Sequence, residues 1–399
     1  MGPLALVLLG VFLSLVIVEI LLRIFYPQYG GEPFQFDPVL GFSLKPDYDG
    51  IWRDHENLTP LRTNSMGFRD AEILVPKPRG VFRILVLGDS MTFGMGVEQE
   101  ATFPDLLEEM LTGNRKAGQV RFEVINAGVP GYGTAQQLLQ YRLYKQQLNP
   151  DLVILAFFVS NDLLDNLCVD QIRPDRTSAP TNPARPCFAL RNEKLTEVHS
   201  PQPPQGTPPL SFLNVKKLHT WLFFHSSVKN TLTSRVEVIE FLHNLSIDIP
   251  IDQLPGTFSW YMEEYRSGWP LTVALFDDLK EEISRDRDSL IVVAFPSRPQ
   301  VTDQILQLTH VLFADFEETE EFMTDITRPQ ELLTRWGEEE QIPVIDCLPD
   351  LKKAARTQPI YLPDGHFNAT AHKIVAELIF NHLTQNELTL PGGISETTP

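Results

Sequence analysis

The chain has 399 residues, of which 43% are hydrophobic and 21% are charged. This is enough apolar material for one large core or two ordinary ones. A formal charge of -19 gives a surface that repels the phosphates of nucleic acids, so no nucleic-acid partner is expected. Cys168, Cys187 and Cys347 are too few for a disulfide framework and lack the paired spacing of a zinc site. One disulfide, between Cys168 and Cys187, is compatible with the sequence.

The first segment of the chain is strongly apolar. Residues 4–18 read LALVLLGVFLSLVIV and carry no charge. Continued through Phe25, the run is long enough to span a bilayer. A buried core helix is one alternative, and a cleaved signal peptide is another, although a basic region and a small-x-small cleavage site are lacking. We therefore expect residues 1–27 to be a retained, single-pass membrane anchor.

From Phe82 onward, short apolar runs alternate with segments of helical pattern. Continuous runs rich in Val, Ile and Leu are typical of strands buried on both faces. The predicted strands are 82–88, 121–128, 151–162, 289–296 and 342–347. The predicted helices lie at 103–111 and 134–148, within 267–285, within 303–338, and at 368–383. This order predicts an α/β fold, a three-layer α/β/α sandwich around a five-stranded parallel sheet.

Other segments interrupt this alternation. Residues 28–80 are punctuated by Pro and Gly and should pack on the main domain as loops and short strands. The proline-rich stretch 169–210 is expected to be a long surface loop, and the aromatic-rich segment 211–262 is either a helical lid or additional core packing. The predicted parts are the anchor, 1–27; an irregular extension, 28–80; the core domain, first part, 81–168; an insertion, 169–285; the core domain, second part, 286–386; and a disordered tail, 387–399.

The sequence GDSMTFG, residues 88–94, lies where the first strand should end and a helix begin. A serine at this junction is exposed at the carboxyl edge of a parallel sheet, where ligands bind in open α/β folds. Ser90 is therefore either a nucleophile or an ordinary helix N-cap. A nucleophilic serine needs a base and a carboxylate that orients the base, and Asp364 and His366 share a loop after the last strand. His372 falls on the final helix and is expected to be structural.

Two further segments follow predicted strands. The glycines of NAGVPGYGT, residues 126–134, allow a backbone N–H to point towards Ser90, and VSND, residues 159–162, offers the Asn161 amide. Each segment alone is an ordinary turn. Because loops after different parallel strands gather at one edge of the sheet, we expect these segments to lie together and to offer donors to a developing oxyanion.

At these residues the sequence resembles the SGNH/GDSL hydrolases, whose name lists the Ser, Gly, Asn and His of four sequence blocks. GDSMTFG matches the first block. The resemblance implies a flavodoxin-like SGNH hydrolase fold with Ser90 as the nucleophile. It also implies that His366 is the base and Asp364 the carboxylate of a catalytic triad. The last block is usually DxxH, whereas this chain has the shorter Asp364-Gly365-His366.

The same resemblance assigns an oxyanion hole to three residues. Ser90 supplies the first donor, Gly131 the second and Asn161 the third, with Gly128 as the competitor of Gly131. The third block is usually GxND, and here it reads Val159-Ser160-Asn161-Asp162, without the glycine.

The function implied is a serine esterase that cleaves carboxylic esters through an acyl-enzyme, with no cofactor and no metal. The substrates implied are acyl or acetyl esters of a small molecule, a glycan or a lipid. One alternative is an O-acyltransferase acting on a cell-surface polysaccharide, and another is a non-catalytic binding protein on the same fold. The anchor, the segment TNSMGFRD (residues 63–70) and the core are together similar to bacterial membrane-attached SGNH proteins. By that analogy the catalytic domain is expected outside the cytoplasm. The oligomeric state is left open.

Overall fold

The structure is a computed structural model. It describes residues 33–53, 58–113, 120–167, 185–199, 201, 260–261, 268–303, 306 and 319–385. The predicted anchor, the predicted tail and nearly all of the aromatic-rich segment 211–262 therefore lie outside the described residues. Among the helices that the structure describes, none combines the length and apolar character needed to cross a bilayer.

The described strands and helices follow the alternation read from the sequence. The strands are β1 (Phe34–Asp37), β2 (Gly41–Leu44), β3 (Asp49–Arg53), β4 (Leu58–Arg62), β5 (Val81–Leu87), β6 (Arg121–Asn126), β7 (Leu152–Phe158), β8 (Cys187–Arg191), β9 (Lys194–His199), β10 (Ser289–Phe295) and β11 (Val344–Asp346). The helices are α1 (Ser90–Phe93), α2 (Phe103–Gly113), α3 (Thr134–Leu148), α4 (Asp162–Asp165), α5 (Gly268–Asp286), α6 (Arg298–Val301), α7 (Thr319–Thr324), α8 (Arg328–Glu340), α9 (Leu348–Ala355) and α10 (Ala369–Gln385).

A five-stranded parallel sheet forms the centre of the fold, in the order β6-β5-β7-β10-β11. Numbered along the chain, this is the order 2-1-3-4-5 of flavodoxin-like, doubly wound sheets. The order reverses next to β5, so the crevice beyond the carboxyl ends of β5 and β7 is the expected ligand site. The five predicted strands and the parallel sheet are confirmed.

The sheet is covered on both faces, which is why its strands read as continuous apolar runs. Along β5, Ile84 and Val86 pack into one core cluster with α2 and α10. The alternate residues Leu85 and Leu87 pack into a second cluster with α3, α5 and α8. This alternation of side chains across the pleat produces the predicted three-layer sandwich.

The proline-rich stretch contains a hairpin that the sequence analysis did not predict. Strands β8 and β9 pair in antiparallel fashion, so the predicted long surface loop is wrong for residues 187–199. Asn192 and Glu193 join the two strands and have φ values of 50° and 61°. Positive φ at both central residues is the requirement of a type I′ turn, for which Asn is favoured.

Two antiparallel hairpins precede the sheet, β1–β2 and β3–β4. The helix α9 is a further element that the sequence analysis did not predict.

Two cysteines lie within the described residues. Cys187 is disulfide-bonded, and Cys347 is a buried free thiol. Cys168, whose pairing with Cys187 is compatible with the sequence, lies outside the described residues.

Candidate active site

The turn between β5 and α1 presents Ser90 at the carboxyl edge of the sheet. Asp89 is the N-cap of α1, and its Oδ1 accepts a hydrogen bond from the Met91 N–H at 2.8 Å. Gly88 is required by close packing, because a Cβ there would collide with the side chain of Thr92. Ser90 itself is partly exposed. The turn thus holds a reachable hydroxyl on a well-anchored backbone.

His366 lies between Ser90 and Asp364, and its two ring nitrogens are within 3.0 Å of their side chains. The His366 Nε2 is 2.9 Å from the Ser90 Oγ, and the His366 Nδ1 is 3.0 Å from the Asp364 Oδ2. The other carboxylate oxygen, Oδ1, accepts the backbone N–H of His366 at 3.1 Å. Ser90 and His366 are 276 positions apart in the sequence. The parallel sheet brings them together because β5 and β11 end at the same edge.

The shortened fourth block is accommodated by a tight turn at Gly365. This residue has a φ of +95°, a conformation that glycine adopts without steric cost. The Leu362 N–H donates to the His366 carbonyl at 2.7 Å and closes the turn. The Arg298 guanidinium holds it from outside by donating to the Pro363 carbonyl at 3.1 Å. Two residues of separation therefore suffice for the carboxylate to reach the imidazole.

The loop after β6 lies against the nucleophile turn, because the Val129 N–H donates to the Gly88 carbonyl at 3.2 Å. The Gly128 N–H is occupied by the Asn126 Oδ1 at 3.1 Å. The Gly131 N–H, by contrast, donates no hydrogen bond within the described part of the chain. This difference favours Gly131 over Gly128 as an oxyanion donor.

The loop after β7 carries Asn161 as the N-cap residue of α4. Its Nδ2 donates to the Asp165 Oδ2 at 2.6 Å. Val159 continues the strand by donating its N–H to the Phe295 carbonyl at 3.2 Å. Neither Val159 nor Ser160 has a positive φ, so this turn does not need the glycine that the usual GxND block supplies.

One family model matches part of this chain. The model of the GDSL-like Lipase/Acylhydrolase family matches residues 86–198, just over a quarter of the chain. This part of the chain is similar to the GDSL-like lipases and acylhydrolases. The resemblance to the SGNH/GDSL hydrolases is therefore confirmed. The match includes the first three blocks and ends before Asp364 and His366.

The similar solved structures have low sequence identity to this chain. The acetyl xylan esterase AlAXEase is 11% identical, with a TM-score of 0.37, and the match covers 76% of this chain and all of that one. TesA is 11% identical with a TM-score of 0.36, over 75% of this chain and 97% of that one. A catalytic mutant of an acetylxylan esterase from Geobacillus stearothermophilus is 11% identical with a TM-score of 0.35, over 76% of this chain and 94% of that one. No curated protein sequence matches the chain. At these TM-scores the structural matches carry no argument about activity.

Two fully buried carboxyl groups, those of Asp89 and Asp162, lie beside the site. One oxygen of Asp162 accepts the Phe158 N–H at 2.9 Å. Burial raises the pKa of Asp89 to about 6. Burial also raises the pKa of Asp162 well above its ordinary value, and the charge of Asp89 raises it further. Both carboxyls hold backbone turns in place, and neither takes the position of Asp364 beside His366.

His372 is buried and packs against Phe103, which agrees with the structural role expected from its place on the final helix. Its ring stacks on Phe103 at a centroid distance of 6.0 Å, and its Nδ1 accepts the Phe103 N–H at 3.2 Å. Burial lowers the pKa of His372 to about 3, so the imidazole is neutral near pH 7. Within the described ranges, no group of three or more His, Cys, Asp or Glu residues is arranged to hold a metal ion.

The sequence analysis missed residues that support the site. Arg69 and Asp70 of TNSMGFRD contact α1 and β6, and this segment was singled out without a role. Arg185 and Asp165 form an ion pair of 2.6 Å beside the oxyanion segments. Arg185 lies in the proline-rich stretch, where no periodic pattern marks it.

Proposed function

We propose that this protein is a serine esterase of the SGNH/GDSL type that hydrolyses carboxylic esters. The observation that carries the proposal is the 2.9 Å contact between the Ser90 Oγ and the His366 Nε2, with Asp364 on the other ring nitrogen. When the imidazole is neutral, a proton on Nδ1 facing the carboxylate leaves the Nε2 lone pair free to accept the serine proton. This is the arrangement in which a serine hydroxyl becomes a nucleophile.

In the first half of the reaction, the Ser90 Oγ attacks the ester carbonyl while His366 takes the serine proton. The Ser90 N–H, the Gly131 N–H and the Asn161 Nδ2 are the proposed donors to the tetrahedral oxyanion. The C–O bond to the alcohol then breaks, and His366 returns the proton to the leaving oxygen. In the second half, His366 deprotonates a water molecule, which attacks the acyl-enzyme. The bond between the acyl carbon and the Ser90 Oγ then breaks, His366 returns the proton to Oγ, and the acid is released.

The substrate is proposed at the level of an ester of a small molecule or glycan, with acyl or acetyl groups included. Transfer of the acyl group to a sugar hydroxyl uses the same acyl-enzyme, so product analysis with and without a sugar acceptor distinguishes transfer from hydrolysis. We also propose an extracytoplasmic location, membrane-attached through residues 1–27. The disulfide bond of Cys187 supports this location, because disulfides persist in oxidising compartments.

The test uses the full chain in detergent and a fluorophosphonate probe, which reports an activated serine without knowledge of the substrate. Intact mass should show one equivalent of label on the wild type and none on Ser90→Ala. Ser160→Ala, which changes a partly exposed serine near the site, should label like the wild type. A folded wild type that neither labels nor hydrolyses p-nitrophenyl acetate would contradict the esterase and favour a binding role.

A further inference from the structure

Arg185 joins the two loops that carry the proposed oxyanion donors. Its Nη1 donates to the Asp165 Oδ1 at 2.6 Å, and its Nη2 donates to the Gly131 carbonyl at 2.7 Å. Asp165 in turn accepts the Asn161 amide on its other oxygen, Oδ2, at 2.6 Å. A continuous path of three hydrogen bonds therefore runs from Gly131, after β6, to Asn161, after β7.

Asp165 fixes which way the Asn161 amide faces. An ionised carboxylate only accepts hydrogen bonds, whereas the amide has two N–H donors on one side and an acceptor oxygen on the other. The contact therefore holds the Nδ2 side of the amide, and not its oxygen, towards Asp165. The opposite orientation would place the amide oxygen against the Asp165 carboxylate, and the two acceptors would repel each other.

The Gly131 backbone needs an external anchor. Its φ is +84°, and glycine is the residue with the greatest backbone freedom. Arg185 holds the carbonyl of this residue, and a Cβ on Gly131 would lie 3.2 Å from the Arg185 Nη2. The guanidinium thus restricts the residue whose N–H is proposed to meet the substrate oxygen.

We propose that Arg185 is a positioning residue of the oxyanion hole, which aligns Gly131 directly and Asn161 through Asp165. This inference rests on the proposed esterase function. Guanidinium suits the task because it is planar and presents two donors to two acceptors at once, which a lysine ammonium does not reproduce with the same geometry. The side chains of Arg185 and Asp165 are only 26% and 20% exposed, so water screens the pair less than it screens a surface ion pair.

The position of Arg185 also gives the insertion a role in the reaction. The residue lies two positions before Cys187, the first residue of β8, and therefore belongs to the segment that leads into the hairpin rather than to the parallel sheet. The oxyanion donors of the core domain are then aligned by a segment that the SGNH blocks do not include. The nearby Cys187 is disulfide-bonded, and the contacts with Asp165 and Gly131 hold the guanidinium in place.

The experiment compares the full-chain wild type with Arg185→Lys, Arg185→Ala and Asp165→Asn. Arg191→Ala is the matched control, because Arg191 is an exposed arginine on the same hairpin. For each protein, kcat and KM are measured with p-nitrophenyl acetate, the rate of fluorophosphonate labelling is measured, and Tm is recorded. Arg185→Ala is also assayed with added guanidinium ion at concentrations that do not unfold the wild type.

We expect kcat to fall by about 100-fold in Arg185→Ala and Arg185→Lys, because small misplacements of reacting groups cost about that much. Asp165→Asn should lose about 10-fold, since only the Asn161 branch is released. Fluorophosphonate labelling should slow in parallel, Tm should change little, and guanidinium ion should restore part of the kcat of Arg185→Ala. The control should match the wild type.

Two results would overturn the inference while leaving the esterase intact. One is an active wild type whose Arg185 variants keep kcat within about threefold. The other is a loss of kcat that follows a loss of Tm and is not rescued by guanidinium ion, because that pattern marks a structural role alone. A wild type that is neither labelled nor active would instead remove the proposed function, and the inference with it.

Discussion

The Arg69 guanidinium donates a hydrogen bond to the Gly94 carbonyl at 2.7 Å. It also donates to the carbonyls of Phe93 and Val97, at 2.8 and 2.7 Å, and therefore closes the C-terminal end of the helix that begins with Ser90. The next residue, Asp70, accepts the Asn126 N–H at the end of β6 at 2.8 Å. Two consecutive residues of TNSMGFRD thus tie the nucleophile turn to the oxyanion loop.

Replacing Arg69 should therefore destabilise the protein. Arg69→Met keeps roughly the length of the side chain but removes three hydrogen bonds to backbone carbonyls and the cation–π contact with Phe93. We expect the free energy of unfolding, measured by urea denaturation, to fall by about 3 kcal/mol. Arg62→Met is the control, since the Arg62 side chain is 75% exposed, and it should change the value by less than about 0.5 kcal/mol. Equal stability of the two variants would contradict the role given to Arg69.

Asn161→Ala should reduce catalysis without unfolding the chain. The amide is one of the proposed oxyanion donors, and removal of one such donor lowers kcat by about 10²- to 10³-fold. KM should change much less, because the oxyanion forms only in the transition state. Steady-state kinetics with p-nitrophenyl acetate give both values, and Ser160→Ala serves as the control at the neighbouring position. A larger effect on KM than on kcat would place Asn161 in substrate binding instead.

The sequence predicted the sheet well because its strands are buried on both faces and carry an unbroken apolar pattern. The position of Ser90 after β5 and of His366 after β11 followed from the same fact, since parallel strands share an edge. The helix α9 did not stand out, because its eight residues, LPDLKKAA, are too few for a repeating helical pattern to be recognised. The hairpin β8–β9 was hidden by the prolines around it, although the turn at Asn192 is a recognisable signal.

The supporting network was less accessible to sequence analysis. Arg185 meets Gly131 and Asp165 only in the folded chain, and an isolated arginine in a proline-rich stretch carries no periodic signal. Arg69 lies within the segment TNSMGFRD, but its hydrogen-bond partners are backbone carbonyls. Such partners cannot be predicted from a pattern of side chains. Catalytic side chains recur in recognisable blocks, whereas the residues that align them are set by the particular loops of one chain.

The two histidines near the site should respond differently to substitution. His366→Ala removes the proposed base, and kcat should fall by at least about a thousandfold with little change in Tm. His372→Ala leaves the buried Phe103 N–H without its acceptor and opens space beside the Phe103 ring, so stability should fall by about 2 kcal/mol. Its kcat should stay within about threefold at a temperature where the variant is folded. Tm and kcat measured on both variants test the assignment, and a reversal of the two patterns would refute it.

Asp105 should make the stability of the protein depend on pH. Burial, with the neighbouring charges of Glu108 and Glu100, raises the pKa of Asp105 from 3.8 to about 6. Because the folded pKa lies above the unfolded one, the contribution of this group to stability is complete below the unfolded value and is lost as pH rises through about 6.

Asp105→Asn removes that loss, because the amide is neutral at every pH in this range. Near pH 7.5 the variant should be more stable than the wild type by up to about 3 kcal/mol, and the difference should narrow when the pH is lowered to about 4.5. Urea denaturation at the two pH values measures both differences. Glu109→Gln is the control, because Glu109 is exposed on the same helix, and it should give a small and nearly constant difference. If the stability difference between Asp105→Asn and the wild type grew as the pH was lowered, the sign of the pKa shift would be contradicted. A carboxyl whose pKa is raised by folding stabilises the folded protein more at low pH than at neutral pH, so the difference must shrink on acidification.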